Sequence, residues 1–463
     1  MANEWKVDKL KNLSLKITKG TTPSKKDGGF SSAGINFIKA ESVNYDGRID
    51  SSSFSFIKED IHNKFKRSQL EENDILFSMA GAFLGKTGLV EKKHLPANTN
   101  QALALIRLKK ELVCPKYIYY FLRQKSVIHF VNNATSQSAQ PNINLQEIGD
   151  LNIRFPEIDL QKRISSILGT LDSKIELNHQ INQTLEQMAQ ALFKSWFVDF
   201  DPVIDNALAA GAAISELPEA LQARAERRIK AQQSAVFKSL PDAIRKLFPS
   251  EFEQGELGWI PKGWKFKTIG ELSKINPQSW TKKNAPQTVL YVDLANAKKG
   301  TIGETIEYEF HEAPSRARRV LEKHDTIIGV VRPANRSFAY VNKSGLTGST
   351  GFAVVRPDKE IFRAFIYLSL TNDDMVDEFS RIADGAAYPA IKPEDVKQAE
   401  CIYSCEDVLG QFEKMAGAMM MKIAANESQI KCLSDLRDTL LPKLISGEIE
   451  ISETEQKLEK VLA

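Results

Sequence analysis

The clearest periodic pattern in the chain is an apolar stripe that begins at Ile164. Apolar residues follow at intervals of four and three, with one interruption around Asn178. An average spacing of about 3.5 residues is typical of a coiled-coil seam. The predicted seam positions of this first helix are Ile164, Leu168, Leu171, Ile175, Asn178, Leu185, Met188 and Leu192.

A second stripe repeats the first at a constant offset of 248 residues. A polar residue inside such a seam costs stability but can fix the register, so the matched asparagines favour helices that pair with each other. The alternative is that each helix packs only on its own globular part. The predicted seam positions of the second helix are Phe412, Met419, Ile423, Asn426, Leu433, Leu436 and Leu440.

A segment of mixed pattern precedes each helix. Its two copies begin alike, because Trp5 and Leu10 match Trp264 and Ile269 at an offset of 259. Helical periodicity follows the strand pattern in both copies, at 115–133 and at 364–383. Short β-rich runs bounded by turns predict strands at 74–80, 87–93, 101–108, 288–295, 325–332 and 351–357.

These patterns predict an α/β protein with a pseudo-twofold internal repeat. Two mixed α/β globular modules are separated by two long helices that form an antiparallel coiled coil. The predicted segments are the first module at 1–155, the first long helix at 156–200, a helical linker at 201–258, the second module at 259–405, and the distal helix with its tail at 406–463.

Charge divides along the same boundaries. The whole chain carries a formal net charge of +3 at pH 7. Residues 1–155 carry +8 and 259–405 carry +3, whereas 156–258 and 406–463 carry −4 each. The positive surplus of the two modules is compatible with a polyanion that binds in two places.

Several functional classes have no support in the sequence. The charged N-terminus lacks the apolar core of a signal peptide, and no run of about 18 apolar residues occurs, so we expect a soluble, cytoplasmic protein. The spacing from Cys401 to Cys405 differs from the CxxC pattern of zinc sites, and the six histidines are scattered. We therefore expect neither a disulfide framework nor a metal site.

The strongest enzymatic candidate is AGAFLGKT at 80–87, which fits a relaxed phosphate-binding loop. In such a loop Lys86 would contact the β and γ phosphates and Thr87 would hold Mg²⁺. The motif requires a helix after it, and the sequence after Thr87 does not predict one. A nucleotide-binding enzyme is kept as the alternative, and a glycine-rich β-turn is the favoured interpretation.

Loops rich in basic and amide residues occur in both modules. Lys and Arg neutralise phosphates, and Arg, Asn and Gln can bind base edges in the major groove. The candidate DNA contacts of the first half are Lys25, Lys26, Lys66, Arg67, Lys86, Asn98, Asn100, Gln101, Gln137 and Gln140. Those of the second half are Lys282, Lys283, Lys298, Lys299, Arg316, Arg318, Arg319, Arg332 and Arg336.

Four stretches carry a family resemblance that covers nearly the whole chain. They are SQSAQPNINLQEIGDLNIRFPEIDLQKRISSIL from 136, LFKSWFVDFDPV from 192, LFPSEFEQGELGWIPKGWK from 247 and LRDTLLPKLISGEI from 436. With these stretches the sequence resembles the specificity subunit of type I restriction-modification systems. One departure is that Gln411 lies two residues later than Gln161 predicts, so no role is transferred to either glutamine.

The resemblance implies two target-recognition domains that bind a bipartite DNA target and a subunit without an active site of its own. It also implies partners: two methyltransferase subunits on the helical regions, and restriction/translocase subunits. S-adenosylmethionine, ATP and Mg²⁺ are then expected in those partner subunits and no cofactor in this chain. A structural coiled-coil adaptor without DNA contact is a third interpretation of the pattern.

Overall fold

A computed structural model describes residues 5–81, 84–134, 142–235, 237–256, 258–385 and 387–462. The chain divides into two compact units, with boundaries after Leu177 and after Ser428. Unit 1 contains the first module together with the end of the second long helix. Unit 2 contains the linker, the second module and the remainder of both long helices.

Unit 1 holds a four-stranded sheet of order β2-β8-β5-β6, a three-stranded sheet of order β4-β3-β7, and a β1-β9 pair. Its strands are β1 (Lys6–Lys9), β2 (Ser14–Lys19), β3 (Ile35–Ile38), β4 (Ser55–Ile57), β5 (Ile75–Ser78), β6 (Thr87–Leu89), β7 (Ala97–Thr99), β8 (Leu103–Leu108) and β9 (Asn152–Phe155). The helices that begin in it are α1 (Leu10–Leu13), α2 (Glu59–Lys64), α3 (Pro115–Leu122), α4 (Lys125–Ala134), α5 (Leu145–Gly149) and the long α6 (Ile158–Phe193).

The first helices that lie entirely in unit 2 are the linker helices α7 (Asp201–Ala209), α8 (Glu219–Gln232) and α9 (Asp242–Arg245). Its strands are β10 (Phe252–Gly255), β11 (Gly258–Pro261), β12 (Lys265–Thr268), β13 (Ser273–Ile275), β14 (Thr288–Val292), β15 (Ala297–Lys298), β16 (Thr301–Ile302), β17 (Ile306–Glu309), β18 (Ala317–Leu321), β19 (Thr326–Gly329), β20 (Phe338–Tyr340), β21 (Leu346–Ser349), β22 (Phe352–Pro357) and β23 (Glu400–Tyr403). The later helices are α10 (Arg363–Thr371), α11 (Asp373–Ile382), α12 (Pro393–Gln398), α13 (Glu406–Phe412), α14 (Ala418–Ser446) and α15 (Ile451–Leu462), of which α15 lies in unit 1.

The sheets confirm the predicted internal repeat. The β13-β22-β19-β20 sheet of unit 2 repeats β2-β8-β5-β6, and the β12-β23 pair repeats β1-β9. In each unit one strand pair is parallel, β3 with β7 and β14 with β21, while the partners on the other side run antiparallel. The two modules therefore share topology, although their loops differ in sequence.

A buried ion pair recurs at the same place in both modules. Nε and Nη2 of Arg107 donate to Asp74 at 2.8 Å each, and those of Arg356 donate to Asp325 at 2.8 Å each. Both aspartates are only 1% exposed. Bidentate pairing of this kind compensates the cost of burying a carboxylate between strands.

The predicted helix at 115–133 is two helices in the structure. α3 ends at Leu122 and α4 begins at Lys125, and between them Arg123 donates to Tyr119 Oη at 2.8 Å and to Asp172 at 3.2 Å. The matching helix at 364–383 is also divided. There the side chain of Asn372 accepts from Met375 N and caps the start of α11.

Candidate nucleic-acid interface

The candidate loops of unit 1 leave one edge of its four-stranded sheet. The end of β2 lies beside the start of β8, as does the end of β5, and β6 begins at the same edge. The loops that follow β2, join β5 to β6 and precede β8 therefore emerge together. They span residues 20–34, 79–86 and 100–102.

Hydrogen bonds tie these loops to one another. Thr21 N donates to Thr99 O at 2.9 Å, and the Thr22 hydroxyl donates to Gln101 Oε1 at 2.5 Å. Arg67 Nη2 donates to Thr21 Oγ1 at 3.3 Å, which brings the 66–68 turn to the same place. At Gly20 any Cβ would lie 2.1 Å from Thr99 O, so only glycine permits this approach.

Five of the predicted contacts in unit 1 are exposed at this assembly of loops: Lys25, Lys26, Lys66, Arg67 and Gln101. Lys64, on the neighbouring helix α2, forms a 2.6 Å ion pair with Asp27. The loops thus present several cations and an amide to solvent on linked backbones. Such a surface has the chemistry required for phosphates and base edges.

Asn98 and Asn100 differ from that set. Asn98 is fully buried, and its Nδ2 donates to Ser68 Oγ at 2.9 Å and to Phe65 O at 3.2 Å. Its amide therefore joins loops inside the module, which is incompatible with its predicted contact to DNA. Asn100 is half-buried, and its Oδ1 has no hydrogen-bond partner in the described ranges. The predicted contacts Gln137 and Gln140 lie outside the described residues.

The 80–87 segment lacks the architecture of a phosphate-binding loop in its described residues. Thr87 begins strand β6, which pairs antiparallel with β5, where a nucleotide site would require a helix. Lys86 is only 8% exposed, and its Nζ lies 4.2 Å from the ring centre of Tyr45. Burial lowers the pKa of Lys86, and nearby Asp46 partly opposes this.

Unit 2 repeats the arrangement at the equivalent sheet edge. β13 and β19 end there, and β22 and β20 begin there. Trp280 N donates to Arg318 O at 2.7 Å and Thr350 N to Arg316 O at 2.8 Å. Lys299 N donates to Arg336 O at 2.9 Å, so the 298–300 turn also joins the hairpin loop between β19 and β20.

The predicted contacts of unit 2 fall into two groups. Lys282, Lys283, Lys298, Lys299, Arg316 and Arg332 are exposed, whereas Arg318, Arg319 and Arg336 are half-buried. Arg319 Nη1 donates to Ser279 Oγ at 3.2 Å, and burial lowers the pKa of its guanidinium. Arg336 is engaged in a 2.7 Å ion pair with Asp373.

In unit 1 the start of α6 lies antiparallel to the end of α14. Arg437 Nη1 of α14 donates to Asp172 Oδ1 of α6 at 2.8 Å, and nearer the start of α6 Arg163 Nη2 donates to Glu455 Oε2 of the following helix α15 at 2.7 Å. The apolar stripe of α6 therefore contacts both the first module and α14. The two alternatives from the sequence, packing on the module and pairing of the long helices, apply together here. The predicted seam residues in this single core are Ile164, Leu168, Leu171, Ile175, Leu433, Leu436 and Leu440.

In unit 2 the end of α6 lies antiparallel to the start of α14. The buried Asn426 donates to Asn182 Oδ1 at 2.7 Å. Met188 is 49% exposed, and the neighbouring Ala189 is buried instead. In an α-helix, positions that repeat every 3.5 residues rotate around the helix axis by about 20° per heptad. More than three heptads after Ile164, the buried face of α6 therefore lies at Ala189, one residue after the predicted position. The other predicted seam residues of this unit are at least half-buried: Asn178, Leu185, Leu192, Phe412, Met419 and Ile423.

Two carboxylates face a small cavity of about 30 Å³ beside this helix pair. Glu186 accepts from Tyr367 Oη at 3.4 Å, and Glu427 accepts from Asn342 Nδ2 at 2.7 Å. Burial raises the pKa of Glu186, and it raises the pKa of Glu427 to about 7. Neither carboxylate has an ion pair among the described contacts.

Glu427→Gln is expected to stabilise unit 2 above pH 7. Folding raises the carboxyl pKa from 4.5 to about 7, so the contribution of Glu427 to stability is greatest below pH 4.5 and is lost as pH rises through this interval. Glutamine still accepts from Asn342 and is neutral throughout. The expected gain at pH 8 is ~1–3 kcal/mol, with little difference near pH 4. Denaturant unfolding followed by tryptophan fluorescence measures it.

Glu307→Gln is the matched control, because Glu307 is exposed on β17 of the same unit. This variant should reproduce the wild-type dependence of stability on pH. If Glu427→Gln also follows the wild-type curve in parallel, the charge of Glu427 does not oppose folding.

Two exposed tyrosines were not among the sequence candidates. Tyr45 and Tyr388 are each 69% exposed, and each ring lies under a cation, Lys86 and Arg332 respectively. Tyr45 has the polar neighbours Asn44 and Asp46, which are a local signal for exposure, whereas the neighbours of Tyr388 in the sequence give none.

The described ranges contain no cluster of three or more His, Cys, Asp or Glu residues that could bind a metal ion. None of the helices in these ranges combines the length and the apolarity that a membrane span requires.

Comparison with known proteins gives a consistent result. Residues 2–187 match the family described as the type I restriction modification DNA specificity domain. The HindI specificity subunit of Haemophilus influenzae is 26% identical over 83% of this chain and 88% of its own length. The MjaIX specificity subunit of Methanocaldococcus jannaschii is 24% identical over 97% of this chain and 94% of its own.

A crystal structure of the S subunit of a type I restriction-modification system from M. genitalium has the same fold. It superposes with a TM-score of 0.51 at 14% identity, over 96% of both chains. The similarity in sequence and in fold thus extends over nearly the whole protein. Residues 2–187 thus match the type I restriction modification DNA specificity domain, and the chain as a whole is similar to type I restriction enzyme specificity subunits.

Proposed function

We propose that this chain is the non-catalytic DNA-recognition subunit of a type I restriction-modification complex. It recognises a bipartite target in double-stranded DNA, with one half-site for each unit. The carrying observation is that equivalent sheet edges in both units gather loops with exposed cations and amides, such as Lys25 and Arg67 in one and Lys282 and Arg316 in the other.

The division of labour within each loop set follows from its chemistry. Exposed Lys and Arg neutralise phosphates and position the duplex, which gives affinity without sequence information. Gln101 in unit 1, and arginines of unit 2 such as Arg316, have the donors for bidentate contacts to base edges. Because the loops differ between units while the sheets match, each unit reads a different half-site.

The paired helices are the proposed site of assembly. We expect two methyltransferase subunits to dock on the helical regions and restriction/translocase subunits to join them. The chemistry then resides in those partners, which would hold S-adenosylmethionine, ATP and Mg²⁺. The strand that begins at Thr87 in place of a helix supports this assignment over a nucleotide-binding enzyme.

Duplex binding by the complex with its methyltransferase subunits tests the proposal. Sequencing the methylated positions of a host genome supplies the target, and duplexes with one altered half-site supply the comparison. Affinity for the target should exceed that for either altered duplex. Affinity for the target should also fall by a factor on the order of 10³ between about 50 and 200 mM salt, because the protein neutralises several phosphates.

An adaptor without DNA contact predicts the opposite result. The assembled complex would then show no preference among the duplexes and no salt-dependent affinity. A complex that assembles with the methyltransferase subunits but behaves in this way would exclude the proposed function.

A further inference from the structure

Each unit has one tyrosine whose large side chain is mostly outside the core. Tyr45 and Tyr388 are both 69% exposed, the highest value among the exposed large apolar side chains of the described residues. A single exposed aromatic residue needs no functional explanation by itself. The surroundings of these two rings supply the further evidence.

The same hairpin loop provides a cation to the ring in both units. Lys86 Nζ lies 4.2 Å from the ring centre of Tyr45, and Arg332 Cζ lies 4.5 Å from that of Tyr388. Lys86 ends the loop between β5 and β6, and Arg332 lies in the loop between β19 and β20. Ser78 N donates to Lys86 O at 2.8 Å, and Gly329 N donates to Ser337 O at 2.7 Å. The same backbone hydrogen bond therefore closes both hairpin loops.

The pair in unit 2 is held by backbone contacts. Arg332 has a φ of 51°, its N–H donates to Pro389 O at 2.7 Å, and its Nη2 donates to Ala387 O at 3.0 Å. Reciprocal bonds between Asp384 and Ala390 at 3.0 and 2.9 Å close the loop around Tyr388. The ring and the guanidinium are therefore oriented before any ligand binds.

The pair in unit 1 is held by a tight turn. Asn44 N donates to Arg48 O at 2.8 Å, and Gly47 N donates to Asn44 O at 3.1 Å. Gly47 adopts a φ of 87°, where a side chain is disfavoured. Lys86 is 8% exposed, so its ammonium is confined beside the ring.

The internal repeat relates both tyrosines to candidate DNA contacts of the other unit. A Cβ at Gly47 would meet Tyr119 Oη, and one at Gly300 would meet Tyr367 Oη, two tyrosines at the 248-residue offset. Gly47 and Gly300 are therefore equivalent positions of the repeat. Tyr45 and Lys298, which each lie two residues before one of these glycines, are then equivalent as well.

Tyr388 is matched at the 248-residue offset with Gln140, next to the matched prolines Pro141 and Pro389. The two rings thus occupy sequence positions where the opposite half of the chain has a lysine or a glutamine that is a candidate DNA contact. Each position is therefore occupied in both units by a residue type that can contact nucleic acid.

We propose that Tyr45 and Tyr388 are specificity-determining residues, each of which packs its ring against a base of the half-site recognised by its own unit. The cation beside each ring orients it by a cation–π contact, and the exposed Arg332 also adds positive charge towards the phosphates. This inference rests on the proposed function. It assigns a base-contact role to aromatic rings in addition to the basic and amide side chains.

Alanine substitution of each tyrosine tests the inference in the complex with its methyltransferase subunits. Tyr388→Ala should lower affinity for the target about 10- to 100-fold, since a good contact to a base edge of a duplex contributes roughly 1–3 kcal/mol. Discrimination against an altered half-site should fall at the half-site of unit 2 and persist at the other. Tyr45→Ala should give the mirror result, so each variant is the control for the other.

Two further measurements separate ring contact from loss of structure. Tyr388→Phe and Tyr45→Phe keep the ring and should retain most of the discrimination. In the unmodified complex, target DNA should protect both tyrosines from nitration, read by mass spectrometry. This readout requires no variant to fold.

The outcomes are distinguishable. If the wild-type complex discriminates half-sites while both alanine variants remain within about twofold of it and nitration is unprotected, the inference is overturned and the proposed function stands. If the wild-type complex itself shows no half-site discrimination, the proposed function fails first.

Discussion

Replacement of residues 1–155 by the corresponding module of a relative with another target is expected to change one half of the recognised sequence and leave the other half unchanged. All candidate loops of unit 1 lie within this segment. They rest on their own sheets and on the buried Asp74–Arg107 pair, so their geometry is set inside the transferred segment. Sequencing of methylated positions before and after the exchange measures the result.

Contacts between the module and α6 set a structural requirement for the exchange. Arg123 and Tyr120 of the module both hydrogen bond to Asp172 of α6, which also accepts from Arg437. The donor module should therefore provide hydrogen-bond donors at these two positions. Exchange of 259–405 is the reciprocal control and should change only the other half-site. New sequence in both halves after a single exchange would contradict independent recognition by the two units.

Insertion of one heptad into each long helix is expected to lengthen the preferred spacer between the half-sites by about three base pairs. Seven residues add about 10.5 Å of helix, and one base pair rises about 3.4 Å. The heptads belong after Ile175 in α6 and after Cys432 in α14. These sites face each other, because Asp172 contacts Arg437 and Asn182 contacts Asn426 in an antiparallel order.

A full heptad preserves the phase of the seam, whereas four residues in one helix alone would rotate it. The four-residue insertion is therefore the control, and it should impair assembly with the methyltransferase subunits. Binding of duplexes with graded spacers measures the shift, and both half-site sequences should stay the same. Loss of all DNA binding with assembly intact would contradict the idea that helix length sets the spacing.

Much of the fold could be predicted because the pattern occurs twice. The 248-residue offset identifies the two helices, and the alternating runs locate β5, β8, β19 and β22 to within a few residues. The break between α3 and α4 was not predictable, because helical periodicity continues through it and the contacts of Arg123 at the break are with residues distant in sequence. The equivalent break at Asn372 has a local signal, a capping residue before two aspartates.

The sequence could predict which loops form the candidate interface, but only partly which residues of these loops are exposed. Lys25 and Asn98 have similarly polar surroundings in the sequence, yet one is exposed and the other is fully buried. The difference arises from the hydrogen bonds that join Asn98 to Ser68 and Phe65 across the module. Tyr45 and Tyr388 were missed for the converse reason, since apolar character alone predicts burial.

The repeated Asp–Arg pairs have a consequence for the exchange of whole modules. Both partners of each pair lie on strands or strand ends of one module, at Asp74 with Arg107 and at Asp325 with Arg356. A module that is exchanged as a whole therefore brings both the carboxylate and its counter-ion. Because breaking such a pair costs roughly 3–5 kcal/mol, keeping both partners inside the exchanged segment preserves the stability of the hybrid protein.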